Sequence, residues 1–166
     1  MDDPTDDELR AYFGPRADYY IAQWRGTARR GYNWAAFLFG GLWFPFRRMY
    51  RAAAVFWGVA IVVTVGSEFA FRALGHSGSP KWFDRTTALL ASFACGVAGN
   101  YLYLGHARRL IAATRTLGLT NQEYLAALSS RGGARLSHAL ICLALLGLLI
   151  VAFVAAAIGL AYLGEK

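Results

Sequence analysis

Residues 33–51, NWAAFLFGGLWFPFRRMYR, decide how the rest of the chain is organised. The stretch is aromatic and apolar as far as Phe44, is interrupted by two glycines and Pro45, and ends in a basic cluster. The residues before it carry many charges, and the residues after it are mostly apolar. About ten helical residues, 35–44, cover only roughly 15 Å, half of the hydrocarbon core of a bilayer. They therefore predict an interfacial or re-entrant half-helix, too short to be a membrane span.

Pro45 predicts the start of the helix that follows the half-helix. Proline suits the first residue of a helix, where its missing N–H leaves no hydrogen bond unmade. The first turns of that helix would carry Arg47, Arg48 and Arg51, and the apolar run 52–71 is long enough to cross a bilayer.

The composition favours a bilayer as the solvent for most of the chain. Hydrophobic residues make up 57 % of the 166 residues, charged residues 16 %, and the mean hydropathy is +0.35. Soluble domains average about 45–50 % apolar and about 25 % charged residues. The net charge of +7 arises from basic residues that flank apolar runs. This pattern predicts membrane lipids with anionic headgroups as partners, and no nucleic acid.

The pattern predicts an all-α, polytopic membrane protein with about three transmembrane helices. Residues 1–33 form a cytoplasmic amphipathic segment, with an apolar stripe that includes Tyr20 and Trp24. Residues 34–166 form the membrane domain, with spans at about 52–71, 87–104 and 139–163.

The distribution of cations predicts the orientation. Eight arginines precede the first span and five lie between the second and third, whereas the other connection and the tail hold four Lys or Arg residues. Loops rich in Lys and Arg stay in the cytoplasm. We therefore expect a multi-pass protein of the bacterial inner membrane, with its N-terminus in the cytoplasm and its C-terminus outside.

Small residues form two adjacent lines on the second span. Ala91, Cys95 and Gly99 make one line, and the other consists of Ser92, Gly96 and Asn100. Such a face lets helices approach closely in lipid. We interpret it as a helix-packing surface for a second copy of the chain or for another membrane protein.

Charged residues near the membrane ends give two further candidates. Arg47, Arg48 and Arg51 anchor the topology or, as a sharper hypothesis, converge on an anionic lipid phosphate. Glu68 and Arg72 are four residues apart, which predicts an interfacial ion pair.

Catalytic and metal-binding signals are weak. The string Gly75-His76-Ser77-Gly78 matches the G-x-S-G of intramembrane serine proteases but lies among polar loop residues, where no buried helix start would hold the serine. No metal-binding or phosphate-loop pattern occurs in the sequence. We expect no enzyme activity, metal or cofactor.

Several segments resemble a bacterial family of small membrane proteins of unknown function, the DUF2628 type. The similar segments lie between about residues 13 and 140, and the most specific is Asn33-Trp34-Ala35-Ala36-Phe37-Leu38-Phe39-Gly40, with Arg47-Arg48-Met49-Tyr50 behind it. Members often have proline at the position of Gly41 and tyrosine at that of Phe46. The resemblance implies a multi-span inner-membrane protein, and it supplies no reaction.

Two functions remain open from the sequence. The first is a non-catalytic scaffold or accessory subunit that packs through transmembrane helices. The second is a lipid- or small-solute-handling protein that works as an oligomer. It would need polar groups that face a cavity, and Asn100, Thr64 and Glu68 are few for that purpose.

Overall fold

The computed structural model describes residues 3–26 and 31–164, and within those ranges the secondary structure is helical, without strands. The helices are α1 (Asp6–Phe13), α2 (Ala17–Arg25), α3 (Trp34–Phe39), α4 (Trp43–Phe46), α5 (Tyr50–Ala73), α6 (Lys81–Arg115), α7 (Asn121–Arg131) and α8 (Leu136–Gly164). Short 3₁₀ turns, Gly14–Arg16 and Gly40–Leu42, link α1 to α2 and α3 to α4.

Two helices, α5 and α6, are long and apolar enough to cross a membrane. A third candidate combines α7 with the first part of α8, as far as Leu149, across a bend of 42°. The all-α architecture with two to three such helices agrees with the sequence prediction. α6 is longer than the apolar run 87–104, because it begins at Lys81 and continues to Arg115.

Residues 34–46 form a helical wedge, comprising α3, the 3₁₀ turn and α4, at the centre of the fold. The long helices α5, α6 and α8 each pack against this wedge, and none of them packs extensively against another. α3 lies on α6, and α4 contacts both α5 and α8. The wedge is too short to span a bilayer, as its length predicts, and it joins the three long helices to one another.

Two left-handed backbone positions shape the wedge. Gly40 (φ 51°) ends α3, and Arg48 (φ 59°) follows α4. Arg48 is the only non-glycine residue of the described ranges with positive φ, a conformation that L-residues adopt at a cost. Pro45 lies buried inside α4, and the span helix begins only at Tyr50. The prediction that Pro45 starts the first span is therefore wrong, because the chain turns once more between them.

The end of α6 continues past its apolar part and builds a helical module with α1, α2 and α7. Its 35 residues measure about 52 Å, roughly 20 Å more than a hydrocarbon core. Leu104, Ala107 and Ile111 of α6 are buried in this module. Tyr20 and Trp24 of α2 are buried there too, so the apolar stripe of α2 packs inside the protein.

Backbone hydrogen bonds tie the turn between α7 and α8 to α1 of the module and to the wedge. Gly133 N–H donates to the carbonyl of Tyr12 (2.8 Å), and Arg135 N–H donates to that of Phe46 (3.0 Å). A Cβ atom at Gly132 would collide with the Tyr12 carbonyl, so this close approach needs glycine. The turn thus fixes where α8 leaves the module.

Candidate functional site

The predicted small-residue face of α6 lies against the wedge. A Cβ atom at Gly96 would come within 2.5 Å of the Tyr32 ring, and one at Gly99 within 2.9 Å of the Ala36 Cβ. Cys95, Gly96 and Gly99 are buried, whereas Ala91 and Ser92 are half-buried. The face does let two helices approach closely, and the second helix is α3 of the same chain.

Asn100 joins this interface through its side-chain amide. Its Oδ1 accepts a hydrogen bond from Asn33 Nδ2 (2.8 Å), and its Nδ2 donates to the Gly31 carbonyl (2.7 Å) and to the Tyr19 hydroxyl (3.2 Å). Asn33 in turn caps α3 by accepting from Ala36 N–H, and its own N–H donates to the Gly96 carbonyl. This part of the small face is covered by the chain itself. The prediction that a second copy or another membrane protein packs against it is therefore corrected.

Arg47 is buried among four aromatic rings. Only 6 % of the residue is exposed, and its guanidinium carbon lies 5.1–6.0 Å from the ring centres of Tyr20, Trp43, Phe46 and Tyr103. Nη2 donates to the Tyr20 hydroxyl at 2.8 Å. Ring faces attract a desolvated cation by about 2 kcal/mol. Burial raises the pKa of Tyr20 although Arg47 opposes that shift, so the phenol stays protonated at neutral pH.

The structure does not bring the three predicted lipid-binding arginines together. Arg47 points into the aromatic core, and Arg48 donates from Nη1 to the Ser130 carbonyl. Arg51 is exposed on the first turn of α5. The predicted site of three converging guanidinium groups is therefore corrected: burial removes Arg47 from any headgroup, and the α7 contact holds Arg48.

Arg51 instead lines a basic groove between the start of α5 and α6, with a volume of about 270 Å³. Its cationic side chains are those of Arg51 and Arg109, and the imidazole of His106 lies beside them. Its apolar walls consist of Met49, Ala52, Leu102 and Leu110. No carboxylate lines the groove, and none among the described residues pairs with Arg51 or Arg109.

A second groove, of about 350 Å³, adjoins the basic groove and shares Leu102 and Arg109 with it. Its apolar lining includes Trp24 and Tyr101. This groove also contains Arg108, which forms an ion pair with Asp3 at 3.1 Å. Its charge is therefore partly neutralised within the chain, in contrast to the basic groove.

Glu68 and Arg72 form an ion pair near the far end of α5. Arg72 Nη2 lies 2.8 Å from Glu68 Oε1, and Glu68 Oε2 accepts a hydrogen bond from Ser79 N–H at 2.9 Å. The pair therefore braces the loop between α5 and α6. In that loop Ser77 is exposed, and His76 packs against the Phe71 ring, 5.8 Å away.

Glu8 connects three helices of the module. Its carboxylate accepts from Arg115 Nε (2.7 Å) and Nη2 (2.6 Å), from the Tyr124 hydroxyl and from Thr5 N–H. Burial would raise the pKa of Glu8, but these hydrogen bonds outweigh it and hold the pKa at about 2. The carboxylate thus stays ionised and fixes α1 to α6 and α7.

Sequence reasoning missed His106 and Arg109 as partners of Arg51. They share one face of α6 with Leu102 and Leu110, since the four occupy positions i, i+4, i+7 and i+8. This spacing was a usable signal, because it places two basic groups where α6 leaves the apolar run. Among the described residues, no group of three or more His, Cys, Asp or Glu side chains is arranged to hold a metal ion.

The fold and the grooves define an all-α protein with apolar helices of membrane-spanning length and a basic rim at one end of them. Residues 10–109 match the family model described as "Protein of unknown function (DUF2628)". The chain therefore belongs to the DUF2628 family, as its Asn33–Gly40 segment predicts. No curated protein and no solved structure matches the chain.

Proposed function

We propose that the chain is a non-catalytic protein of the bacterial inner membrane that serves as a scaffold or accessory subunit for another membrane protein. The wedge would hold α5, α6 and α8 apart, so that each offers an apolar face to a partner. The helical module would lie in the cytoplasm and set the spacing of the three helices.

The exposed surface of α5 is the observation that carries this proposal. No residue of its apolar 18-residue window is buried within the chain. Val55, Val62 and Phe69 are 67–71 % exposed, and a Cβ atom at Gly58 or Gly66 would meet nothing within 4 Å. Close helix contacts in membranes use such small residues beside larger apolar ones. α5 thus has room for a partner helix that the described residues of the chain do not supply.

Photo-cross-linking from α5 in native membranes tests the proposal. Benzoylphenylalanine replaces Phe69, which is 70 % exposed, and in a matched control it replaces Phe56, whose ring lies 5.9 Å from that of Phe44 in the wedge. We expect one protein adduct of defined mass from Phe69 and none from Phe56. The captured protein should also co-purify with the wild-type chain in a constant ratio. Lipid adducts alone from both positions would contradict the scaffold proposal.

A lipid-handling role is the second candidate, and the basic groove supports it. A role in handling small solutes has less support, because the three polar residues that it would need are already hydrogen-bonded or lie exposed. The Asn100 amide is hydrogen-bonded to Asn33, Gly31 and Tyr19. Glu68 is engaged by Arg72 and Ser79, and Thr64 is exposed on α5. The groove, in contrast, has basic groups without acidic partners among the described residues.

A further inference from the structure

We propose that the basic groove of Arg51, His106 and Arg109 binds the phosphate of an anionic phospholipid, with the acyl chains running along α5. This inference rests on the membrane location proposed above. It does not depend on a protein partner.

The depth of the groove fits the headgroup layer. The rings of Phe71 and Phe83 are 5.2 Å apart, where α5 and α6 converge at the far end. On α5, Arg51 lies twenty residues from Phe71, and on α6, Tyr103 lies twenty residues from Phe83. At 1.5 Å per residue, each separation is about 30 Å along the helix. This distance is the thickness of a hydrocarbon core. Arg51 therefore lies at the boundary of the core, and His106 and Arg109 lie about 5–9 Å farther out.

The charges of the groove select an anion. Two guanidinium groups and an imidazole line it, and Arg109 makes one described hydrogen bond, from Nε to the Gly105 carbonyl of its own helix (3.2 Å). Guanidinium forks match the geometry of phosphate oxygens. Basic pockets between transmembrane helices on the cytoplasmic side bind anionic headgroups in this way.

The walls of the groove favour a lipid over a soluble phosphate. Met49, Ala52, Leu102 and Leu110 surround the cations with apolar surface. Val55 and Val59 follow Arg51 at i+4 and i+8, on the same face of α5, and are 67 % and 58 % exposed. The groove therefore continues into an apolar strip that an acyl chain can cover, whereas inorganic phosphate would contact only its basic end.

Native mass spectrometry of the full-length chain, reconstituted in an equimolar mixture of phosphatidylglycerol and phosphatidylcholine, tests the inference. We expect the wild type to retain phosphatidylglycerol preferentially. The double variant Arg51→Gln/Arg109→Gln should lose that preference by roughly tenfold or more, since each arginine near an anionic membrane surface contributes substantially to binding. The control Lys81→Gln/Arg85→Gln removes two exposed cations from the far end of α6 and should behave as wild type.

Three outcomes would overturn the inference. The first is equal retention of phosphatidylglycerol by the wild type and by Arg51→Gln/Arg109→Gln. The second is an equal loss of retention in the control variant. The third is displacement of the lipid by glycerol phosphate at concentrations comparable to those of the lipid, which would identify a site for soluble phosphate. Recovery of each variant in the membrane fraction separates these outcomes from a failure of the proposed membrane location.

Discussion

The carboxylate of Glu8 is the one acidic group that ties α1 to both α6 and α7. Its pKa is held at about 2, against an ordinary value of 4.5. The stabilisation is therefore fully present above pH 4.5 and is lost as the pH falls from there towards 2. A shift of this size corresponds to about 3 kcal/mol. We expect Glu8→Gln to lower the stability of the purified protein at pH 7 by about 2–3 kcal/mol, measured by thermal unfolding in detergent.

Asp7→Asn is the matched control for Glu8→Gln. Asp7 lies in the same first turn of α1 but is exposed and has no described ion pair. Its loss should change stability by less than about 0.5 kcal/mol. The wild type and Asp7→Asn should both lose stability between pH 4.5 and pH 3, whereas Glu8→Gln should respond much less over that range. Parallel pH curves for all three proteins would show that the Glu8 cluster does not hold the module together.

Arg47 and Arg51 are four residues apart and should respond differently to the same substitution. Arg47 is enclosed by aromatic rings, whereas Arg51 is exposed in the basic groove. We expect Arg47→Gln to cost about 2 kcal/mol, with unchanged retention of phosphatidylglycerol by the folded protein. Arg51→Gln should have the opposite pair of effects, little change in stability and weaker lipid retention. Thermal unfolding and native mass spectrometry of the same two preparations check both, and a loss of lipid in Arg47→Gln would contradict the assignment of Arg47 to the core.

At the scale of the helices, the sequence predicts whatever depends on local patterns. Helix class and approximate spans follow from apolar runs, and the half-helix follows from its length. The burial of Arg47 and the hydrogen bond from Arg48 to α7 were not predictable in this way. Both depend on residues that are distant in the sequence: the rings around Arg47 include those of Tyr20 and Tyr103, and Arg48 reaches Ser130, 82 positions away. The sequence predicts a packing surface on the small face of α6, and the structure has α3 of the same chain against it. Spacing within one helix could not identify that neighbour.

The contact between the wedge and α6 gives a prediction for two glycines of one helix. A Cβ atom at Gly99 would meet the Ala36 Cβ at 2.9 Å, whereas one at Gly105 would meet nothing within 4 Å. Gly99→Ala should therefore overpack the interface and cost about 1–3 kcal/mol. Gly105→Ala should stabilise the protein by up to about 1 kcal/mol, because alanine is the better helix former. Thermal unfolding of the two variants shows whether each substitution raises or lowers the stability. Stabilisation by both would mean that α3 does not pack on this face of α6.

At the scale of the whole molecule, the wedge and the positive charges lie near the same end of the long helices. The wedge contacts α5 and α6 near the end where Arg51, Arg108 and Arg109 lie, and the helical module covers that same end. The opposite end consists of the short loop between α5 and α6, braced by Glu68 and Arg72. Almost all of the described structure outside the long helices α5, α6 and α8 therefore lies at one end of them. Retention of that side in the cytoplasm is what the cation distribution favours.

Cysteine labelling in spheroplasts tests this orientation directly. Cys95 and Cys142 are first replaced by alanine, and single cysteines are then introduced as Ser77→Cys in the α5–α6 loop or Ser129→Cys on α7, both exposed positions. A membrane-impermeant maleimide should label Ser77→Cys in intact spheroplasts and Ser129→Cys only after the membrane is disrupted. The reason is that thirteen of the seventeen cations lie on the side of Ser129. The reverse labelling pattern would invert the topology and would place the basic groove on the outer leaflet. Labelling of both positions in intact spheroplasts would contradict a single orientation.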